Sequence, residues 1–168
     1  MLPGCHLAFL FLICAILISW TATAIMESSS SAPQRSLFRI HSSDAGVVLQ
    51  GEWWSSPLCD AAPSTRPLFL FVHQYTVMGG SRQLMAGMAH HAVSSGYEAV
   101  TFDLRGAGGS SGSSTYRNKS ERDDVLAMLR HVESSSSRPL FLVGSSAGAA
   151  LAGSVLEASP RVLGGLFV

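Results

Sequence analysis

The chain has 168 residues, 47% of them hydrophobic, and a formal net charge of +0. That length suits about one domain at roughly 100–200 residues each. No basic stripe and no acidic tail is present, so composition gives no support to a nucleic-acid-binding or solvating-arm function.

The N-terminus opens with the uncharged apolar run Leu7–Trp20, followed by Ala22-Thr23-Ala24. The small-x-small ending fits a cleaved secretory signal peptide. The first six residues carry no Lys or Arg, and the run is slightly short for a spanning helix of about 20 residues. Residues 1–24 are therefore read as a signal peptide, with an uncleaved membrane anchor as the alternative. Membrane association would run through residues 7–20. The chain is placed in the secretory route or on a membrane, with a cytoplasmic or organellar location as the alternative. Residues 25–36, which include "ESSSSAPQR", read as a flexible linker. In a secretory compartment Asn118-Lys119-Ser120 becomes a glycosylation sequon.

Two antiparallel strands are expected at "LFRIHS" and "VVLQGEWW", joined by "SDAG", with the Pro-rich loop "PLCDAAPSTRP" after them. Three continuous apolar runs follow, Leu68–Val72, Ala99–Phe102 and Leu140–Val143. Apolar residues without alternation mean burial on both faces, as in a parallel sheet covered by helices. Helices are expected between them, the first over Ser81–Ser95. In the second, Val125, Met128, Leu129 and Val132 fall at i, i+3, i+4 and i+7. Ser120 and Asp123 resemble a capping box at its start. The mixed-charge stretch Lys119–Asp124 reads as a solvated helix face. A third helix follows Ser146, and Val162–Val168 reads as a further strand. The alternation of strand and helix predicts right-handed crossovers in an α/β sheet.

Three cysteines occur, and only Cys59 lies beyond the first apolar stretch, so it has no partner there for a disulfide. Metal-ligand spacing is missing too. His90 and His91 are adjacent, would diverge by about 100° on a helix, and read as a solvated or core-edge pair.

Gly144, Ser146 and Gly148 spell G-x-S-x-G between a buried strand and a helix. Such a turn lifts the serine hydroxyl clear of the sheet in a strained conformation, and glycines at either side relieve crowding. Free N–H groups at the helix start then face the place where an oxyanion would form. The bland alternative is a Gly/Ser turn that only joins two elements.

The loop after the first central strand, "HQYTVMGGS", can bring a second N–H to the same oxyanion, and His73 reads as structural, holding that loop. The next loop, "DLRGAGGSSG", misses a dinucleotide fingerprint because residue 111 is Ser and no P-loop lysine follows. Asp103 and Arg105 in that loop are expected to be structural. The alternative makes Asp103 the acid of a catalytic triad, against the usual chain order.

Taken together, "HQYTVMGGS", "YEAVTFDLRGAGGSSG" and "LFLVGSSAGAALAG" resemble the α/β-hydrolase superfamily, in its group of serine aminopeptidase-like or Xaa-Pro dipeptidyl-peptidase-like domains. The likeness covers roughly Leu37–Val168. It implies an α/β-hydrolase fold, a mostly parallel sheet with helices on both faces, truncated near the sixth strand. It implies Ser146 as nucleophile, and as oxyanion donors the backbone N–H of Ala147 with that of Gln74 or Tyr75. No cofactor and no metal is implied, and the substrate would be a small-molecule ester or amide. The family often has His-Pro-His-Pro or His-Gly where this chain has His-Gln-Tyr.

In this family the triad runs Ser, acid, His, whereas all six histidines here precede Ser146 and only Glu157 follows it as an acid. The chain thus reads as residues 37–168 of a partial hydrolase domain, lacking the triad acid and His. The leading expectation is a serine hydrolase of esterase, lipase or peptidase type, weakly active or inactive as this chain. The alternative is a catalytically inactive fragment or binding protein. A third class, a membrane-anchored structural protein, rests on the N-terminal run alone. The last strand would leave an apolar sheet edge open to self-association.

Overall fold

Apolar runs that are too continuous for a half-exposed strand sort themselves by parity in the folded chain. The computed structural model describes residues 32–168 apart from 45, 75–79 and 116–117. The signal-or-anchor reading of residues 1–24, the Leu7–Trp20 run and Tyr75 therefore lie outside the described residues. Among the described residues no helix is long and apolar enough to cross a membrane.

In chain order the elements are β1 (Gln34–His41), β2 (Val48–Ser55), α1 (Pro57–Asp60), β3 (Leu68–Val72), α2 (Ala86–Ser94), β4 (Ala99–Phe102), α3 (Lys119–Ser135), β5 (Leu140–Gly144), α4 (Ala147–Gly153) and β6 (Val162–Phe167). The six strands form one sheet in the order β1-β2-β4-β3-β5-β6. The first two pairings, β1 with β2 and β2 with β4, are antiparallel. The β3–β4, β3–β5 and β5–β6 pairings are parallel.

Along β3, Leu68, Leu70 and Val72 enter a core with Val125, Met128, Leu129 and Val132 of α3 and Leu151 of α4. Phe71 faces the other way, into a second core with Met85, Ala89 and Val93 of the α2 region and Cys59 of α1. Each face of the sheet therefore has its own helical cover, which is why the strands read as continuous apolar runs. On the α2 face an apolar cavity of about 420 Å³ remains, bounded by Phe69, Phe71, Met88, Tyr97 and Leu166 among others.

Four expectations are corrected in detail. β1 begins at Gln34, inside the stretch read as linker, because β2 is long enough to pair Gln34 with Ser55. The Pro-rich loop contains the short helix α1, with Pro57 in its first turn, where the missing N–H costs nothing. The segment expected as a helix from Ser81 starts instead as a 3₁₀ turn, Arg82–Met85, before α2 proper. Its first residue is held by Asp103, whose carboxylate accepts from Arg82 N–H at 2.8 Å and from the Arg82 guanidinium. The largest correction concerns Lys119–Asp124. It is not a solvated face, since Glu121 and Asp124 are buried. The N-cap is Asn118 in the left-handed region at φ 59°, and no capping box forms at Ser120.

Those two acids are buried because each has a dedicated set of donors. Glu121 accepts from Thr115 N–H at 2.5 Å and from the Thr115 hydroxyl at 2.9 Å. Burial pushes the Glu121 carboxyl up, but these hydrogen bonds outweigh it and hold it below its ordinary value. Asp124 accepts from Arg105 Nε at 2.8 Å and Nη2 at 2.7 Å, and from Ser42 Oγ at 2.5 Å. Arg105 also reaches Asp44 at 2.5 Å. Arg105 is therefore structural, as expected. It ties the loop after β4 to α3 and to the β1–β2 turn.

Removing one member of a buried pair strands the other charge, at a cost of about 3–5 kcal/mol. Arg105→Met is expected to lower unfolding free energy by an amount in that range, read by urea titration. Adding Asp124→Asn in that background removes the stranded charge while keeping an acceptor for Ser42. It is expected to recover part of the loss, and no recovery would refute the charge-stranding account.

Candidate active site

A strand that must become a helix within three residues has room for few side chains. At the end of β5, a Cβ placed on Gly144 would lie 2.5 Å from Gly148 O and 2.6 Å from Ala149 Cα. A Cβ on Gly148 would lie 2.4 Å from both Val72 O and His73 O. Both contacts are with backbone, which cannot swing away, so only glycine fits at either position.

Between them Ser146 adopts φ 52° and ψ −119°. Those angles belong to the first corner of a type II′ turn, which glycine normally fills. Ser146 and Asn118 are the non-glycine residues of positive φ among those described. Three backbone bonds hold the turn. Ser146 N–H donates to Val168 O at 2.5 Å, Gly148 N–H to Ser145 O at 2.8 Å, and Ala149 N–H to Ser146 O at 2.9 Å. Ser145 N–H continues the ladder to Val72 O at 3.1 Å. Ser146 is exposed. As the first residue of α4, Ala147 has no carbonyl four residues earlier within the helix to bond, and no loop bond among the described residues uses its N–H.

The loop after β3 is fixed by its histidine. His73 is fully buried. Its Nε2 accepts from Leu104 N–H at 3.0 Å, which places the proton on Nδ1, and Nδ1–H donates to Gln74 O at 2.5 Å. Burial pulls the His73 imidazole below its ordinary value of 6.5, against the opposing pull of the Gln74 carbonyl and of Asp103. Both ring nitrogens are committed, so His73 orients the loop and has no lone pair left for a serine proton. Gln74, half-buried at the head of that loop, is held through its carbonyl. Tyr75, the other candidate donor, lies outside the described residues.

Asp103 is equally committed. Besides Arg82 it accepts from Gly109 N–H at 3.0 Å, and none of its hydrogen bonds reaches a histidine. It anchors the loop. His90 and His91 are exposed on α2. No histidine among the described residues hydrogen-bonds Ser146. The structure thus brings together Ser146, Ala147 and the His73–Gln74 loop, because Gly148 packs directly on the His73 carbonyl. The 420 Å³ cavity includes none of Ser146, Ala147 or Gln74 in its lining, so it belongs to the α2 face and not to this site. The anchoring parts of His73 and Asp103 follow from loop position. The Glu121 and Asp124 ties could have been suspected only from acids placed three residues apart on the helix face that also carries Val125 and Met128.

Two consequences can be measured. A non-glycine residue in such a region costs about 1–3 kcal/mol, so Ser146→Gly is expected to raise unfolding free energy by about 1 kcal/mol once the extra backbone entropy of glycine is subtracted. Ser146→Ala keeps the strain and should show no such gain. Equal stability of the two variants would contradict the strain. The second consequence concerns acid. His73 has a folded-state value below its unfolded one, and burial shifts His131 the same way. Below about pH 6.5 the unfolded chain takes up protons that the folded one refuses, so stability is full above that value and falls as pH drops. The urea midpoint should decline between pH 7.5 and 5.5, and the His73 ring should remain neutral by NMR through pH 6.5. A protonated His73 at pH 6.5 would refute the assignment.

A family model described as serine aminopeptidase, S33 matches residues 63–168. No curated protein gives a significant match. Among solved structures, a protein of unknown function from Agrobacterium tumefaciens, described as an alpha/beta hydrolase, is similar at 22% identity with a TM-score of 0.67, covering 79% of this chain and 59% of its own. XC6422 of Xanthomonas campestris, described as an α/β serine hydrolase without a lid, is 24% identical with a TM-score of 0.61, covering 74% of this chain and 57% of its own. The esterase Pf2001 of Pyrococcus furiosus is 24% identical with a TM-score of 0.64, covering 79% and 50%. The chain thus spans between half and three-fifths of the length of these structures. The strand order, the G-x-S-x-G elbow after β5 and the family match over more than half the chain agree: this chain belongs to the serine aminopeptidase S33 family of α/β-hydrolases.

Proposed function

We propose that the chain carries the nucleophile half of an acyl-transfer site, with Ser146 as nucleophile and small-molecule esters or amides as the substrate class. The observation that carries the reading is the conformation of Ser146: an exposed serine in a glycine-type region, wedged between two glycines that backbone contacts make obligatory. Strain of this kind clusters at functional sites, and an ordinary connecting turn would have a glycine there.

The chemistry follows from what each group can do. Ser146 Oγ attacks the acyl carbonyl, and the carbonyl oxygen becomes an oxyanion. The N–H of Ala147 donates to that oxyanion, with a second N–H from Gln74 or Tyr75. Removing one such donor typically costs about 10²–10³ in rate. The Ser146 proton must go to a base. The described histidines do not supply one, and His73 is already bonded at both nitrogens. On this reading the chain as given turns over esters weakly or not at all. Sites without a triad retain roughly 10³–10⁴-fold over water from oxyanion stabilisation and binding.

External imidazole can serve as the base. Residues 25–168 and their Ser146→Ala variant are assayed on a short-chain activated ester, with and without added imidazole. Without it, the two are expected to be nearly equal. With it, the wild-type rate is expected to rise above that of Ser146→Ala in the same buffer. An identical imidazole response in both would refute Ser146 as an activatable nucleophile. Robust Ser146-dependent turnover without imidazole would refute the absence of a base.

A further inference from the structure

We propose that Asn118 is an N-glycosylation site and that its glycan lies across the groove between the start of α3 and the outer face of α4. The proposal rests on the reading of residues 1–24 as a secretory leader, and is independent of the role of Ser146. Asn118-Lys119-Ser120 has the acceptor pattern, and the pattern alone is common. The fold adds three observations. Asn118 and Lys119 are exposed, and Ser120 is only partly covered. Asn118 stands at the turn into α3 in the left-handed region, outside any strand. Its backbone carbonyl starts the helix by accepting from Arg122 N–H at 2.8 Å. That bond is made by the main chain, so modifying the side-chain amide leaves it in place.

The groove beside it, about 250 Å³, is bounded by Asn118, Lys119, Arg122, Ala150, Leu151 and Ser154. Ala150 and Leu151 give an apolar floor for the C–H face of a sugar ring. Lys119 and Arg122, whose Nε donates to Ser154 O at 3.4 Å while its other guanidinium nitrogens remain, give a polar rim for its hydroxyls. The volume is below the roughly 300–1,000 Å³ of pockets that enclose a whole small ligand, and suits a ring tethered at one end. In the transfer, the Asn118 amide nitrogen attacks the anomeric carbon of an oligosaccharide carried as a lipid diphosphate. The N–C bond forms and the bond from that carbon to the diphosphate oxygen breaks. The lipid diphosphate leaves with the electron pair, and the amide gives up one proton.

The test expresses the full chain in cells with a eukaryotic secretory pathway, once behind its own N-terminus and once behind a foreign signal peptide. Asn118 is followed by peptide mass spectrometry before and after peptide N-glycosidase. The expected result is a glycopeptide in both forms, from which the enzyme releases the glycan and leaves an aspartate in place of the asparagine. It should be lost in Asn118→Gln and Ser120→Ala and retained in Ser120→Thr. The glycan should also slow amide exchange around Ala150–Ser154 relative to the enzyme-treated protein, which tests the groove. An unmodified Asn118 behind the foreign signal overturns the acceptor site. Modification behind the foreign signal but not behind the chain's own N-terminus overturns the glycan as a feature of this chain and traces the failure to the leader. Unchanged exchange around α4 overturns the groove contact.

Discussion

Gly148 packs on the carbonyls of Val72 and His73 more closely than any Cβ would permit, and this contact sets much of the rest. It brings the start of α4 down onto the end of β3, one strand over from the strand that α4 follows. Ser145 must then bond Val72 O, which fixes the β3–β5 register at its upper end. Ser146 is left with so little chain to make the turn that it takes a conformation meant for glycine. The cost, about 1–3 kcal/mol, is offset by the three backbone bonds of the turn at about 0.5–1.5 kcal/mol each. A backbone held on both sides in this way presents the serine hydroxyl in one direction, which is what a nucleophile requires.

The same end of the sheet is laced by buried polar groups. His73 joins the loop after β3 to the loop after β4 through Leu104 N–H. Asp103 joins the loop after β4 to the turn that opens α2. Arg105 joins it to α3 and to the β1–β2 turn. The loops lie at the carboxyl ends of the parallel strands, where open α/β sheets place their ligands. Loops of this length would otherwise be free to move. Each tie here uses a charged or imidazole group with most of its bonding capacity filled, so the local order is specified by polar contacts more than by apolar packing. That arrangement is costly to break in part and stable when complete.

The difference between apolar packing and polar lacing also explains which features the sequence disclosed. Burial on both faces leaves a linear trace, so β3, β4 and β5 could be located from Leu68–Val72, Ala99–Phe102 and Leu140–Val143, and the fold class followed from their alternation with helices. The elbow left a local trace as well, because close approach demands glycine at 144 and 148. Polar lacing leaves less: loop position marks His73, Asp103 and Arg105 as anchors but names none of their partners. Asp124 is buried because Arg105, nineteen positions earlier, and Ser42, eighty-two earlier, reach it, and no periodicity encodes a partner at that separation. The stretch Lys119–Asp124 therefore reads as solvent-facing surface. The start of β1 at Gln34 was hidden for a similar reason, since strand length is set by the partner β2 and not by the residues of β1 themselves.

One consequence joins the strained serine to the edge of the sheet. Ser146 N–H donates to Val168 O, and Val168 N–H returns to Gly144 O. The backbone of the elbow is thus closed by the chain just past β6, whose one hydrogen-bonded neighbour in the described sheet is β5. β6 is also the strand with Leu163 and Leu166 more than half exposed, and it carries two glycines at its centre, Gly164 and Gly165, which weaken a strand interior. A segment with few buried contacts opens locally at less cost than the core. The conformation of Ser146 is held on one side by the well-buried β3 and on the other by this weaker strand. Any partner surface or further strand that stabilised β6 would act on Ser146 through two backbone bonds, without touching the serine itself.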